Sequence, residues 1–148
     1  MLVIGCDHAG YPLKQAILAH LYEQGIAYQD VGCDGASCDY PDIAQALCAE
    51  ITSGRCAQGI LVCGTGVGMS MAANKIRGIR AAVCTDSFST KYTRLHNDAN
   101  VLCLGARVLG NGLALELVDI FLQTKFEGGR HQRRIDMMTA IEEKQQGG

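Results

Sequence analysis

The sequence predicts an α/β fold: a three-layer α/β/α sandwich around a five-stranded parallel sheet. Three observations carry the prediction. Short apolar runs alternate with helix-like stretches five times, and glycine marks nearly every junction. The third run, Gly59–Cys63, is apolar throughout, as a strand buried on both faces must be. Five β-α repeats of this kind make a Rossmann-like sheet with helices on both faces, right-handed crossovers, and ligands beyond the carboxyl ends of the strands.

Each element has a local reason. Leu2–Cys6 is the first strand, and Asp7-His8-Ala9-Gly10 breaks it. A helix begins near Pro12, whose missing N–H costs nothing in a first turn. It carries Leu13, Ile17, Leu18 and Leu21 at helical spacing and stops at Gly25. Ala27–Val31 is the second strand, and a polar Gly/Asp/Ser segment leads to a helix from Tyr40-Pro41-Asp42 to Ser53-Gly54. The third strand runs into Gly64-Thr65-Gly66-Val67-Gly68 and a Met/Ala-rich helix ending near Lys75. Arg80–Cys84, Ser87–His96, Val101–Gly105 and Leu113–Thr124 continue the alternation as strand, helix, strand and helix. After Gly128-Gly129 a last helix covers about 130–143, and residues 145–148 are expected to fray. One domain spans 1–148, as the length suggests.

Composition narrows function. Thirteen Lys+Arg against fifteen Asp+Glu leave a formal charge of -2, which removes the electrostatic case for a nucleic-acid or anionic-membrane binder. With three Phe, five Tyr and no Trp, base-stacking platforms are not expected either. No apolar run approaches the length of a membrane span, and no basic-then-apolar leader precedes the first strand, so a cytoplasmic location is expected. Eight cysteines without a C-x-x-C pair read as small buried hydrophobes rather than as disulfides or a zinc site.

The strand-end segments converge in such a fold. They hold Asp7 and His8, Cys63 to Gly68, Thr85 and Asp86, and Arg107. Alternate glycines after strand three let backbone N–H groups face an anion, and a helix start adds about half a positive charge. The spacing is G-x-G-x-G after the third strand, with no acidic residue about 20 positions on, so a nicotinamide cofactor is disfavoured. A plain tight turn is the other reading. Cys63 is either one more buried thiol or a base activated by the adjacent helix start. His8 and His96, standing beside Asp7 and Asn97, read on their own as structural, and no spacing supports a metal. Arg130 and Arg134 share one helix face, which is either a solvated basic face or a grip on one dianion.

Taken together, these pieces resemble one family. Gly5-Cys6-Asp7-His8-Ala9-Gly10, Asp39-Tyr40-Pro41, Gly59 to Gly68, Ala72-Ala73-Asn74-Lys75, Arg94 to Asn100, and Gly128-Gly129-Arg130-His131-Gln132 with Arg134 match the ribose-5-phosphate isomerase type B / galactose-6-phosphate isomerase family. The match covers nearly the whole chain. By resemblance Cys63 is the catalytic base, with Thr65 beside it in the anion-binding loop of Gly64, Gly66, Val67 and Gly68. His96 matches the residue that helps open the sugar ring. Asp7, His8, Asn97 and Arg107 match substrate-contacting positions, and Arg130 and Arg134 the phosphate-binding pair. Some members lack the cysteine and use a glutamate elsewhere, so Cys63 groups this chain with the thiol type. Arg133 departs from relatives that often carry an uncharged residue there.

The resemblance implies an aldose–ketose isomerase of the pentose phosphate pathway, acting on ribose 5-phosphate and ribulose 5-phosphate without cofactor or metal. It also implies a homodimer or dimer of dimers whose active site lies at a subunit interface. The alternatives are an isomerase of allose 6-phosphate or galactose 6-phosphate, and an inactive sugar-phosphate-binding relative. Retention of Cys63, Thr65 and His96 together argues against the latter.

Overall fold

The computed structural model describes residues 1–146. Its elements are β1 (Leu2–Cys6), α1 (Tyr11–Glu23), β2 (Tyr28–Asp30), α2 (Tyr40–Thr52), β3 (Gln58–Cys63), α3 (Val67–Ala73), β4 (Ala81–Val83), α4 (Ser87–Asn97), β5 (Val101–Gly105), α5 (Asn111–Gln123) and α6 (Arg130–Gln146). All five strands join one parallel sheet in the order β2-β1-β3-β5-β4. The predicted sandwich is therefore the observed one.

Period-two alternation assigns the central strands to two cores. Leu2, Ile4 and Cys6 of β1, Ile60 and Val62 of β3, and Leu102 and Leu104 of β5 pack with α1 and α5. Val3, Leu61, Cys63, Val101 and Cys103 face the other way, toward α2 and α3. On that second face Gly59 and Gly105 stand where a side chain has no room. A Cβ at Gly59 would lie 2.6 Å from Leu47 Cδ2, and one at Gly105 would lie 2.6 Å from the Thr65 carbonyl. Close approach of helix and loop to the sheet is the physical reason for these glycines.

The helix boundaries follow local chemistry. Pro12 and Pro41 stand in the first turns of α1 and α2. Gly25 ends α1 at φ +70°, with its N–H donating to the Tyr22 carbonyl. Asp86 caps α4 by accepting the Ser89 N–H at 2.8 Å.

Four expectations are corrected. The edge strands β2 and β4 have only three residues each, shorter than the predicted Ala27–Val31 and Arg80–Cys84. Helix α3 ends at Ala73 rather than Lys75, because Asn74 leaves it to exchange two hydrogen bonds with the Ala81 backbone. Helix α6 continues through Gln146, whose side chain donates to the Lys75 carbonyl, while the Glu142 carboxylate accepts the Gly78 N–H. Residues 145 and 146 are therefore helical rather than frayed, and residues 147–148 of that expectation lie outside the described residues. Thr85 and Asp86 do not join the central cluster of strand ends, since β5 separates edge strand β4 from β3 and Asp86 serves as a cap.

Candidate active site

The chain leaves β1 toward β2 on one side and β3 toward β5 and β4 on the other, so the switch point of this sheet lies between β1 and β3. A crevice at the carboxyl ends of these two strands is where open α/β sheets bind ligands. The residues there are Asp7 and Cys63 to Gly68.

Cys63 is the last residue of β3 and only 5% exposed. Its Sγ accepts the Gly66 N–H at 3.1 Å. Gly66 makes this possible by adopting φ +82°, a left-handed conformation that other residues rarely take, immediately before α3. The Val67 N–H turns to Thr65 Oγ1 at 3.3 Å, leaving the hydroxyl hydrogen free to be donated outward. Gly68 lies in the first turn of α3, where N–H groups have no intrahelical partner. Because α3 has only seven residues, the cradle works mainly through these individual N–H groups rather than through a long helix dipole.

Neighbouring segments fasten the cradle. The Ala106 and Arg107 N–H groups donate to the carbonyls of Cys63 and Gly64 at 2.8 and 3.0 Å. The Arg107 guanidinium lies over Gly64, where a Cβ would stand 3.3 Å from Nη1. On the β1 side Asp7 is buried, donates its N–H to the Val62 carbonyl and accepts the Gly10 N–H on its carboxylate at 3.0 Å. His8 is exposed, and its Nδ1 is 3.5 Å from the Cys38 N–H. Lys14, itself 1% exposed, holds the loop behind His8 by donating to Asp30 at 2.8 Å and to the Cys33 carbonyl at 2.8 Å. Tyr40 covers Gly68, where a Cβ would lie 2.7 Å from its ring. Sequence reasoning did not assign Tyr40 to the site; its signal was the Asp39-Tyr40-Pro41 motif at a helix start.

The eight thiols are all unpaired. Burial pushes Cys6 up to about 12 and Cys48 to about 11, and it raises Cys103 as well. These are packing residues, as predicted. Cys63 differs by having a backbone donor aimed at its sulfur from the cradle.

The remaining predicted residues lie at the other end of the sheet. Helix α4 returns from the carboxyl end of β4 to the amino end of β5, so His96 and Asn97 in its last turn are far from the cradle. Strands of five or six residues put about 16–20 Å between the two ends. Arg130 and Arg134 lie with His96, because α6 starts there and His131 stacks on His96 with ring centroids 3.9 Å apart. Within the run Arg94 to Asn100 the roles divide. Arg94 donates to Asp98 and to the carbonyls of Ala99 and Thr124, and Asn100 bonds the Arg80 N–H and the Gly78 carbonyl. These are scaffold contacts, while the Asn97 side chain stays exposed. A groove of about 670 Å³ beside Asn97, Arg80 and Met138 also lies at this end.

Glu127, which the sequence did not mark, joins His96 and His131, and their ligand atoms lie within 4.8 Å of one another. The two imidazoles are 11° from parallel, so their in-plane lone pairs run side by side. A metal about 2.0 Å from both nitrogens needs them to converge, so this arrangement does not fit one.

Fold and cradle thus define a doubly wound α/β protein with a candidate small-molecule site at its switch point. The sequence profile of the Ribose/Galactose Isomerase family matches residues 2–138, and the chain belongs to that family. It is 47% identical to ribose-5-phosphate isomerase B of Escherichia coli, over 97% of both chains. Among solved structures it is similar to ribose-5-phosphate isomerase B of Clostridium thermocellum, with 48% identity, a TM-score of 0.95, and coverage of 97% and 98%. It is also similar to ribose-5-phosphate isomerase B of Mycoplasma genitalium with bound ribulose-5-phosphate, with 41% identity, a TM-score of 0.91, and coverage of 96% and 95%.

Proposed function

We propose that this protein is an aldose–ketose isomerase that interconverts ribose 5-phosphate and ribulose 5-phosphate through an enediolate. The observation that carries this reading is the Cys63 sulfur, buried at the switch point and facing the Gly66 N–H at 3.1 Å. Kinship with proteins named for this reaction, one of them holding its ketose product, supports it.

In the forward direction the thiolate of Cys63 takes the proton from C2 of the open aldose and returns it to C1. One positioned base contributes about 10²–10⁴-fold, so the oxyanion developing on the sugar needs preorganised donors as well. With Gly66 and Val67 bonded within the loop, the Thr65 hydroxyl and the Thr65 and Gly68 N–H groups are the donors it offers. Asp7, His8 and Arg107 bind the sugar hydroxyls. Arg130 and Arg134 hold the phosphate, and its binding energy positions the reacting carbons. His96 opens the ring, and Asn97 contacts the substrate. Eight unpaired thiols fit a reducing compartment, and the reading includes a cytoplasmic location. No helix among the described residues is long and apolar enough to cross a membrane.

A five-carbon phosphate cannot reach from Cys63 to Arg130 along one protomer. The reading therefore includes a homodimer, or a dimer of dimers, in which the α4–α6 end of one protomer completes the cradle of its partner.

Two experiments test these parts. Purified protein given ribose 5-phosphate alone is expected to form ketose. No turnover of pentose or hexose phosphates overturns the isomerase reading, and faster turnover of allose or galactose 6-phosphate overturns the substrate. For the shared site, Cys63→Ala is expected to lose turnover and Arg134→Ala mainly to bind substrate weakly. The two chains are unfolded and refolded together and assayed at substrate well below the KM of Arg134→Ala. Half the dimers are then mixed, each with one intact site, so about a quarter of parental activity returns. No recovery despite mixed dimers overturns the two-protomer site.

A further inference from the structure

His96 is held from three sides. Its ring lies flat on His131, from the first turn of α6. Glu127 puts one carboxylate oxygen 3.5 Å from His96 Nε2 and 3.9 Å from His131 Nε2. Tyr92, one turn earlier on α4, meets the His96 ring edge-on at 5.0 Å. The Glu127 N–H donates to the Leu95 carbonyl at 3.0 Å, tying the carboxylate's own backbone to the turn that carries His96.

His131 is 7% exposed, and its buried Nε2 has no hydrogen-bond partner. It faces the same carboxylate oxygen that His96 faces. Burial, with His96, Arg130 and Arg134 nearby, holds His131 below the usual imidazole range and so favours its neutral form, although Glu127 opposes this. A neutral ring can stack on His96 without adding like charge beside it.

We propose that Glu127 and His131 are positioning residues for His96, fixing its ring plane and its tautomer, a role that rests on the reading of His96 as the ring-opening residue. At 3.5 Å Glu127 is an electrostatic neighbour rather than a hydrogen-bond partner, and an ionised carboxylate, which only accepts, favours the hydrogen on the imidazole nitrogen that faces it. A neutral His96 with its hydrogen on Nε2 presents the Nδ1 lone pair to the sugar. Opening the furanose removes the hydrogen of the anomeric hydroxyl, forms C1=O1, breaks C1–O4 and delivers a proton to O4, so no proton is gained or lost overall. In this arrangement His96 Nδ1 accepts the hydroxyl hydrogen and hands it to O4 as C1–O4 breaks, so the imidazole ends as it began. Without the stack and the carboxylate, a side chain at an exposed helix end samples several rotamers, and a misplacement near 1 Å costs about 10²-fold.

The sugar itself separates this role from a merely structural one. Ribulose 5-phosphate has its carbonyl at C2 and its O5 esterified, so it cannot close a five-membered ring and binds already open. Glu127→Ala and His131→Ala are expected to lower kcat/KM for ribose 5-phosphate 10- to 100-fold. Enzyme-catalysed deuterium exchange from solvent into C1 of ribulose 5-phosphate should stay within about twofold of the parent. Glu127→Asp, which keeps the carboxylate, should recover part of the aldose rate and serves as the second variant if an alanine chain fails to fold. Equal loss in both measurements, or no loss in either, overturns the positioning role. A parent protein that converts neither sugar overturns the isomerase reading instead.

Discussion

Gly105 pairs with Cys63 in the β3–β5 register, and the Thr65 backbone crosses directly over it. In Gly105→Ala the new Cβ would stand 2.6 Å from both the carbonyl carbon and the oxygen of Thr65. Ordinary contact begins at 3.4 Å, so loop or strand must give by about 0.8 Å (3.4 minus 2.6). The obstacle is backbone on both sides and cannot rotate away. The shift falls on the residues that aim the Gly66 N–H at the Cys63 sulfur. Displacement of that size at a reacting centre costs about 10²-fold, and forced overpacking costs about 1–3 kcal/mol of stability. In a chain of this length that lowers Tm by about 2–4 °C per kcal/mol. Gly112→Ala is the matched control, since a Cβ there meets nothing within 4 Å. It lies near the start of α5, where alanine adds up to about 1 kcal/mol of stability. Steady-state kinetics on ribose 5-phosphate and thermal melts of both variants make the comparison. A folded Gly105→Ala enzyme with kcat within about threefold of the parent would refute the claim that the cradle's position governs the chemistry.

Other outcomes follow from the same contacts. Cys63→Ala should reduce turnover by about 10²–10⁴-fold while ribulose 5-phosphate still binds by calorimetry; near-parental turnover would remove the sulfur from the mechanism. Lys14→Met leaves the Cys33 carbonyl without its donor and Asp30 without its cation. Asp30 keeps 34% side-chain exposure, so the loss in denaturant melts should fall near 2–3 kcal/mol, below that of a fully buried pair. Asp86 is held below the usual carboxylate range by N–H donors at Ser89 and Phe88. Its contribution to stability is therefore present above the unfolded-state value and lost as pH falls through the lower folded-state one. The melting difference between Asp86→Ala and the parent should accordingly vanish in that acid window, and a difference unchanged down to pH 2 would rule out the charged cap.

What the sequence revealed depended on how local the physics was. Alternating apolar runs and junction glycines marked all eleven elements, because periodicity and turns are properties of a few neighbouring residues. The cradle was legible for the same reason: its sulfur, hydroxyl and N–H groups fall between Cys63 and Gly68. Boundaries set by distant partners were missed. Asn74 looks like a helical residue until Ala81 comes beside it, and Gln146 looks frayed until the Lys75 carbonyl accepts from its side chain. Glu127 carries no motif of its own, and only the α4–α6 packing brings it to His96. The sequence also could not show that Cys63 and Arg134 stand at opposite ends of the sheet, since strand order and direction are needed for that.

Their separation bears on how activity is lost. On the proposed two-protomer site, an isolated chain keeps its thiol and cradle but lacks the partner's arginine grip and ring-opening histidine. The cost of separation therefore exceeds that of one missing base, because remote phosphate binding is what orients the reacting carbons. Each protomer nonetheless retains both cores intact, since the clusters on the two sheet faces are built from one chain. Specific activity should then collapse on dilution through the dissociation constant of the dimer, while far-ultraviolet circular dichroism of the diluted chain stays native-like. The midpoint of that loss should coincide with the mass change seen by sedimentation. Specific activity that stays constant while sedimentation reports monomer would show that one protomer brings the phosphate grip to its own cysteine, and the division of the site between subunits would fall.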